Sequence, residues 1–194
     1  KGDKYVINGT KLFVYDAQAS DYIICVARTD NGEPGDSISL LLVPRDTPGV
    51  TLTPLITTAA DKQFEVVFEN AVVSNTGLVG QECKSWPIVD LVLQKAAALK
   101  AVEMVGVMQA ALDLTLDYAK QRIAFGRPIA SFQAVHHHFA DMYRDTETSR
   151  LLAYEAIWAL GQGLPSSRQV SLAKSRINSA AGAVTRMAHQ IYGG

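Results

Sequence analysis

The stretch QRIAFGRPIASFQAV, Gln121 to Val135, lies between two long segments in which apolar residues recur every three or four positions. That period belongs to amphipathic helices. It predicts one helix from about Pro87 to Arg122 and a second from Ser131 to Leu160, with a corner between them. Gly126 and Pro128 break the first helix, because glycine takes positive φ freely and proline lacks an amide donor. Ser131 is the expected N-cap of the second helix, and Gly161 the expected residue just past its end. The inner face of the second helix reads Phe132, Val135, Phe139, Met142, Ala153, Ile157 and Leu160. After GQGLP, with Pro165 near the first helical position, a third helix is expected from about Ser166 to Ile191. Its inner face reads Val170, Ala173, Ile177, Ala181, Val184, Met187 and Ile191. Three long helices with short corners make most of an antiparallel four-helix bundle. The fourth helix is expected outside this chain.

Residues 1 to about 80 carry a different period. KYVINGTKLFV has two β-rich runs around Asn8-Gly9, which reads as a two-residue hairpin turn. DYIICVART is a continuous apolar run suited to a buried strand. In FEVVFENAVV, Phe64, Val66 and Phe68 alternate with Glu65, Val67 and Glu69, so one face is buried. Short strands at this spacing predict an antiparallel sandwich or barrel. The expected fold class is α+β. Residues 1–80 form a partial β-domain, and residues 81–194 form a helical bundle incomplete at its C-terminus.

The totals exclude several function classes. The 194 residues are 48% hydrophobic and 19% charged, with a net charge of −1. That describes a globular chain without the electrostatic footprint of a nucleic-acid binder. The most apolar stretch, Ile88 to Leu116, is interrupted by Asp90, Lys95, Lys100, Glu103 and Asp113, which argues against a membrane span. The polar start KGDKYVINGT is not a signal peptide. Cys25 and Cys83 form no CxxC pair; Cys25 is expected as a buried reduced thiol, consistent with a reducing, cytoplasmic compartment. His136, His137 and His138 point about 100° apart on a helix, so they cannot converge on one metal ion. Trp86 and Trp158 are expected as packing anchors.

The corner also has chemistry. Arg122 projects from the last turn before the break, Arg127 adds a second positive charge, and free helix N-terminal amides are expected near Ser131. Guanidinium beside a helix N-terminus suits a phosphate. The flat ring of Phe125 suits a nucleotide base or flavin. The ordinary alternative is a well-made helical turn, with Arg122 on the carbonyls of the preceding helix.

The wording of this corner resembles the signature of the acyl-CoA dehydrogenase family. HQIYGG at the chain's end resembles the family's Gln-x-x-Gly-Gly segment, and YVINGTKLFV resembles its middle-domain stretch. LVPRDTPGV, VVFENAVV and VGQECKSW follow in the family's order, so the likeness covers nearly the whole chain. KAVEMVG is reminiscent of bacterial members, including some acting on steroid side-chain thioesters.

The resemblance implies FAD, bound by a middle β-domain together with a C-terminal helical domain, usually in a homodimer or homotetramer. It implies that Arg122 contacts the FAD pyrophosphate across a subunit boundary and that Phe125 packs on the cofactor of the neighbouring subunit. Gln133 falls where the family often places another FAD contact, and Gln190, Gly193 and Gly194 match the segment whose backbone approaches it. Phe13, Val14 and Tyr15 fall where the family commonly has Trp-Ile-Thr beside the flavin. Phe13 can still pack on the ring, whereas Tyr15 is much larger than Thr; the alternative for both is ordinary strand packing. The implied activity is α,β-dehydrogenation of an acyl-CoA thioester in fatty acid metabolism, with an electron-transfer flavoprotein-like acceptor. The implied base is a carboxylate. Most members carry it beyond the Gly-Gly segment, outside this chain; others carry it where this chain has Ala96, followed here by Ala97. Small residues there leave space for a bulky acyl chain. Glu103 is expected to pair with Lys100 or Gln109 instead, so no catalytic residue is assigned within the chain. A non-catalytic partner subunit in a hetero-oligomer, contributing Arg122 to another chain's FAD, is the alternative. A helical interaction module without cofactor would leave the three ordered motifs unexplained.

Overall fold

The computed structural model describes residues 4–29 and 32–193, in two compact units, Lys1–Asp90 and Leu91–Gly194. The first unit is built from strands β1 (Lys4–Tyr15), β2 (Tyr22–Arg28), β3 (Ile38–Pro44), β4 (Val50–Leu55), β5 (Gln63–Ser74) and β6 (Leu78–Val79). They pair antiparallel in two three-stranded sheets, ordered β1-β5-β4 and β2-β3-β6. Ile7, Ile23, Cys25, Leu41, Val43, Phe64, Val66 and Phe68 form the core, as the alternation in β5 predicts. Cys25 is free and buried, and burial pushes its thiol pKa up.

Asn8-Gly9 is not a hairpin turn. β1 runs straight through it against β5, and the register slips between Ile7↔Ala71 and Gly9↔Phe68. The Asn70 amide, at φ 51°, donates to the Asn8 side-chain oxygen at 2.7 Å across this bulge. The extra residue of the bulge lies on β5, three steps from Ala71 to Phe68 against two on β1, and Asn70 takes the left-handed conformation there. The slip also moves β5 burial from the Phe64, Val66, Phe68 parity to Ala71 and Val73.

The second unit packs three helices: α1 (Trp86–Gln121), α2 (Gln133–Gly161) and α3 (Ser167–Tyr192). The buried residues of α1 are Ala98, Ala101, Val105, Met108, Leu112, Thr115 and Ala119, stepping by three and four. Alanine recurs on the seams of all three helices, and small side chains let helix axes approach closely. Trp86 and Trp158 do not anchor this packing, being 42% and 59% exposed. Residue 158 stands off the seam set by Ala153, Ala156 and Ala159. The left-handed turn after α2 is made by Gly163, at φ 65°, because the helix includes Gly161.

The seam of α2 is partly polar, with Asp145, Thr146 and Ser149 buried beside Met142 and Ala153. Thr146 and Ser149 donate to the Met142 and Asp145 carbonyls at 2.8 and 2.6 Å, which satisfies both hydroxyls within the helix. Asp145 takes an ion pair from Arg176 of α3 at 2.7 Å and another from Arg144 at 3.0 Å, its side chain 11% exposed. Removing that carboxylate leaves Arg176 without its charge partner on the seam. Asp145→Ala is expected to lower the unfolding free energy by about 2–3 kcal/mol, less than a fully buried pair because Arg176 is partly wet. Glu103→Ala, which breaks only the exposed pair with Lys100, is expected to cost about 0.5 kcal/mol or less. Urea denaturation of the two variants checks the contrast.

Candidate functional site

The corner between α1 and α2 is closed by hydrogen bonds. Ile123–Ala124 (β7) pairs with Arg127–Pro128 (β8), leaving Phe125 and Gly126 as a two-residue loop. Both have positive φ, 51° and 78°, as a type I′ hairpin turn requires. The Ile129 amide donates to the Arg122 carbonyl at 2.8 Å, and the Arg122 amide to the Tyr118 carbonyl at 2.8 Å. Arg122 therefore belongs to the last turn of α1 and to the hairpin at once. A β-carbon at Gly126 would meet nothing within 4 Å, so the demand for glycine is purely conformational.

Phe125 is the anomaly. Asparagine, aspartate or glycine normally occupies that position of a I′ turn, and an aromatic residue in the left-handed region is strained by about 1 kcal/mol or more. Its ring is 95% exposed and touches Phe132 edge to face, with centroids 6.2 Å apart. Arg127 lies over the other aromatic, its guanidinium carbon 4.2 Å from the Phe132 centroid. Among the described residues, neither Arg122 nor Arg127 has a hydrogen-bond or ion-pair partner for its guanidinium.

Ser131 does not cap α2. It ends a single 3-10 turn, Ile129–Ser131, and its hydroxyl donates back to the Pro128 carbonyl at 2.7 Å. Phe132 takes the N-cap position, and no side chain caps the helix. The extra turn follows from the proline, which holds the chain extended before it can enter a helix. Gln133 is exposed in the first turn of α2.

Gln190 and Gly193 sit at the other end of the unit's chain, yet α3 returns there against α1. The Tyr192 ring stacks on Tyr118 with centroids 4.3 Å apart, and its hydroxyl donates to the Leu114 carbonyl at 3.2 Å. Gly193 caps α3 in the left-handed region, at φ 94°. Gly194 lies outside the described residues. Phe132, Tyr118 and Tyr192 went unassigned in the sequence because aromatics at helical spacing look like core.

In the β unit, Phe13 and Tyr15 are 63% and 65% exposed. A second register slip, between Lys11↔Val66 and Val14↔Phe64, puts Leu12 and Phe13 opposite one residue, with Phe13 at φ 60°. This bulge turns Val14 into the core and leaves Phe13 and Tyr15 outward. Tyr15 pairs with Gln63, whose amide donates to Asp61 at 2.6 Å. Thr57 also donates to Asp61. Hydrogen bonds from Thr57 and then Gln63 hold the Asp61 carboxyl below its ordinary pKa. The structure assigns Phe13 and Tyr15 to one unit and the corner and α3 residues to the other.

Position 96 is an exposed alanine, and Ala97 packs against the helical core. Glu103 pairs with Lys100 at 2.6 Å. His136 hydrogen-bonds to the Ala130 carbonyl, and among the described residues no cluster of His, Cys, Asp or Glu could hold a metal ion.

The chain matches two family models in order. Residues 1–71 match the acyl-CoA dehydrogenase middle domain and residues 86–194 the acyl-CoA dehydrogenase C-terminal domain. The chain belongs to the acyl-CoA dehydrogenase family. An acyl-CoA dehydrogenase of Bacillus subtilis (strain 168) is 34% identical over all of this chain and 52% of its own length. The solved butyryl-CoA dehydrogenase from Megasphaera elsdenii superimposes with a TM-score of 0.92 at 30% identity, over 100% of this chain and 52% of that one. A structure of PigA with FAD and proline gives a TM-score of 0.92 at 28% identity, over 98% and 50%. The chain thus spans about half the length of the curated relatives it matches. No helix among the described residues is long and apolar enough to cross a membrane.

Asp61 supplies a test of the Tyr15 cluster. Its folded pKa is lowered, so its contribution to stability is complete above the unfolded value and lost as pH falls through the folded one. Carbon-13 NMR should find this carboxyl titrating below the ordinary aspartate range, and Thr57→Val should move its pKa upward.

Proposed function

We propose that this protein works as an FAD-dependent acyl-CoA dehydrogenase, which removes hydrogen from the α and β carbons of an acyl-CoA thioester. One observation supports the assignment of the cofactor site: an exposed aromatic ring in a strained backbone, on a hairpin with two arginines whose guanidinium groups have no hydrogen-bond or ion-pair partner among the described residues. Strain of this kind is kept where the surroundings or a ligand use it. Arg122 and Arg127 suit the diphosphate of FAD, and Phe125 suits one of its rings. Gln133 on α2, and Gln190, Gly193 and Gly194 at the end of α3, are assigned to the same cofactor. Phe13 and Tyr15, re-aimed by the β1 bulge, are assigned to its flavin.

Bound FAD supplies the acceptor for the substrate's β-hydrogen, taken as hydride. The protein's task is to orient the thioester, exclude water and give the α-proton a carboxylate. Ala96 cannot accept it, and Glu103 is occupied by Lys100. We assign the reoxidation step to an electron-transfer flavoprotein-like partner. We assign the working state to a cytoplasmic homo-oligomer, because Leu99 and Leu114 of α1 and Leu151 and Trp158 of α2 stand 59–69% exposed.

A second reading, a non-catalytic partner subunit, is favoured by Ala96 and Ala97, which carry no carboxylate, and by Tyr15, much larger than the threonine the family commonly has beside the flavin. The two readings separate in a dye-reduction assay of FAD-loaded protein across short, long and branched acyl-CoA thioesters. Turnover with at least one is expected; FAD binding without turnover of any thioester would instead support the partner subunit. Phe125→Asn gives a further expectation with opposite signs. Asparagine relieves the left-handed strain, so stability should hold or rise by up to about 1 kcal/mol. FAD affinity should fall by about tenfold or more through the lost ring contact. Chemical denaturation and flavin fluorescence titration check the two halves.

A further inference from the structure

His136, His137 and His138 hold no metal and have no part in the proposed cofactor site, yet the structure separates the three. His136 Nε2 donates to the Ala130 carbonyl, whereas among the described residues His137 and His138 make no hydrogen bond or ion pair. We propose that His136 is a positioning residue for the cofactor site. Its ring replaces the side-chain cap that α2 lacks, and so holds Phe132 and Gln133 in place at the start of that helix. This rests on the reading of the corner as an FAD site.

Three observations carry it. The first is the missing cap. A helix start leaves amides without intrahelical partners, and a side-chain cap normally keeps the first turn from fraying. The Ser131 hydroxyl is diverted to the Pro128 carbonyl at 2.7 Å, and Phe132, at the N-cap position, makes no side-chain cap bond.

The second is direction. Side chains on a helix lean toward its N-terminus. His136 is the fourth residue of α2, so its ring leans back over the turn that precedes the helix. Successive residues point about 100° apart, so one histidine of the three can reach that turn. The His136 amide donates to the Phe132 carbonyl at 3.1 Å while the ring bonds Ala130, which ties the helix to the chain on both sides of the cap. A carbonyl only accepts, so this bond requires the proton on Nε2.

The third is what the tie connects. Ile129 and Ala130 pack against the helical core, so the ring bonds an anchored point. On the other side, Phe132 meets the exposed ring of Phe125 edge to face, and Gln133 opens α2. These are the residues through which the start of α2 reaches the proposed cofactor, Gln133 directly and Phe132 by way of Phe125. A fraying first turn would move both, and ordering it on binding would cost affinity.

The test uses the purified protein with FAD as the probe. Nitrogen-15 NMR at mildly alkaline pH is expected to find His136 as the Nε2–H tautomer. His136→Ala should weaken FAD by about three- to tenfold, the net worth of one hydrogen bond, and should speed amide exchange at Val135 and His136. Thermal unfolding should hardly change, because the bond is exposed. His136→Gln, whose amide can donate to the same carbonyl, should restore both affinity and protection, and His137→Ala should alter neither. Equal FAD affinity in wild type and His136→Ala would overturn the proposal and leave the acyl-CoA dehydrogenase reading standing. The Nδ1–H tautomer, or a glutamine variant as weak as the alanine one, would overturn it in the same way. Wild type that binds no FAD would sink the cofactor reading of the corner and the positioning role together.

Discussion

The helical unit turns on two residues whose backbone is left-handed. Phe125 and Gly126, at φ 51° and 78°, make the two-residue loop that lets β7 pair with β8. That pairing stops α1, reverses the chain and delivers it to α2. Gly126 takes this conformation without strain, while Phe125 does not. The turn could be made more stably with asparagine in its place, so the ring is retained against the local conformational preference. The surrounding bonds determine the geometry around it: Ile129 to Arg122, Phe132 to Ile129, and the Ser131 hydroxyl to Pro128. A rigid frame presents one exposed ring and two cations, which is what preorganised binding requires.

The rest of the unit keeps that frame fixed. Alanines on the seams of α2 and α3 bring those two axes close, and the polar residues on the α2 seam are satisfied locally or by Arg176. The end of α3 is pinned to the end of α1 by the Tyr118–Tyr192 stack. Residues far apart in sequence, Arg122 and Gly193, are thereby attached to neighbouring turns of the same packed pair. In the β unit a bulge does comparable work, turning Phe13 and Tyr15 outward while Val14 enters the core.

Most of the architecture was legible because burial leaves a period. Phe64, Val66 and Phe68 announce a half-buried strand, and Val170 to Ile191 announce the seam of α3, because apolar side chains must alternate with the geometry of the element. What periodicity misses is polar burial and local backbone choice. Asp145, Thr146 and Ser149 were not among the expected seam residues, since nothing in the sequence reveals that the Thr146 and Ser149 hydroxyls bond within the helix or that Arg176 arrives from α3. Asn8-Gly9 looked like a turn because the pair favours turns, but the pairing of β1 with β5 continues through it and the bulge opposite is made by Asn70. The proposed site could be named in the sequence as residue types, Arg122, Phe125 and Gln133, but not as geometry. The hairpin, the displaced start of α2 and the Arg127–Phe132 stack depend on Pro128 and on hydrogen bonds between residues several positions apart.

The central claim is that the corner holds the dinucleotide. The most direct measurement is a crystal structure of the protein with FAD bound. The account predicts diphosphate oxygens within hydrogen-bonding distance of the Arg122 and Arg127 guanidinium groups, and a ring of the cofactor against Phe125. FAD bound elsewhere, with both arginines still without partners and the Phe125 ring still bare, would contradict it.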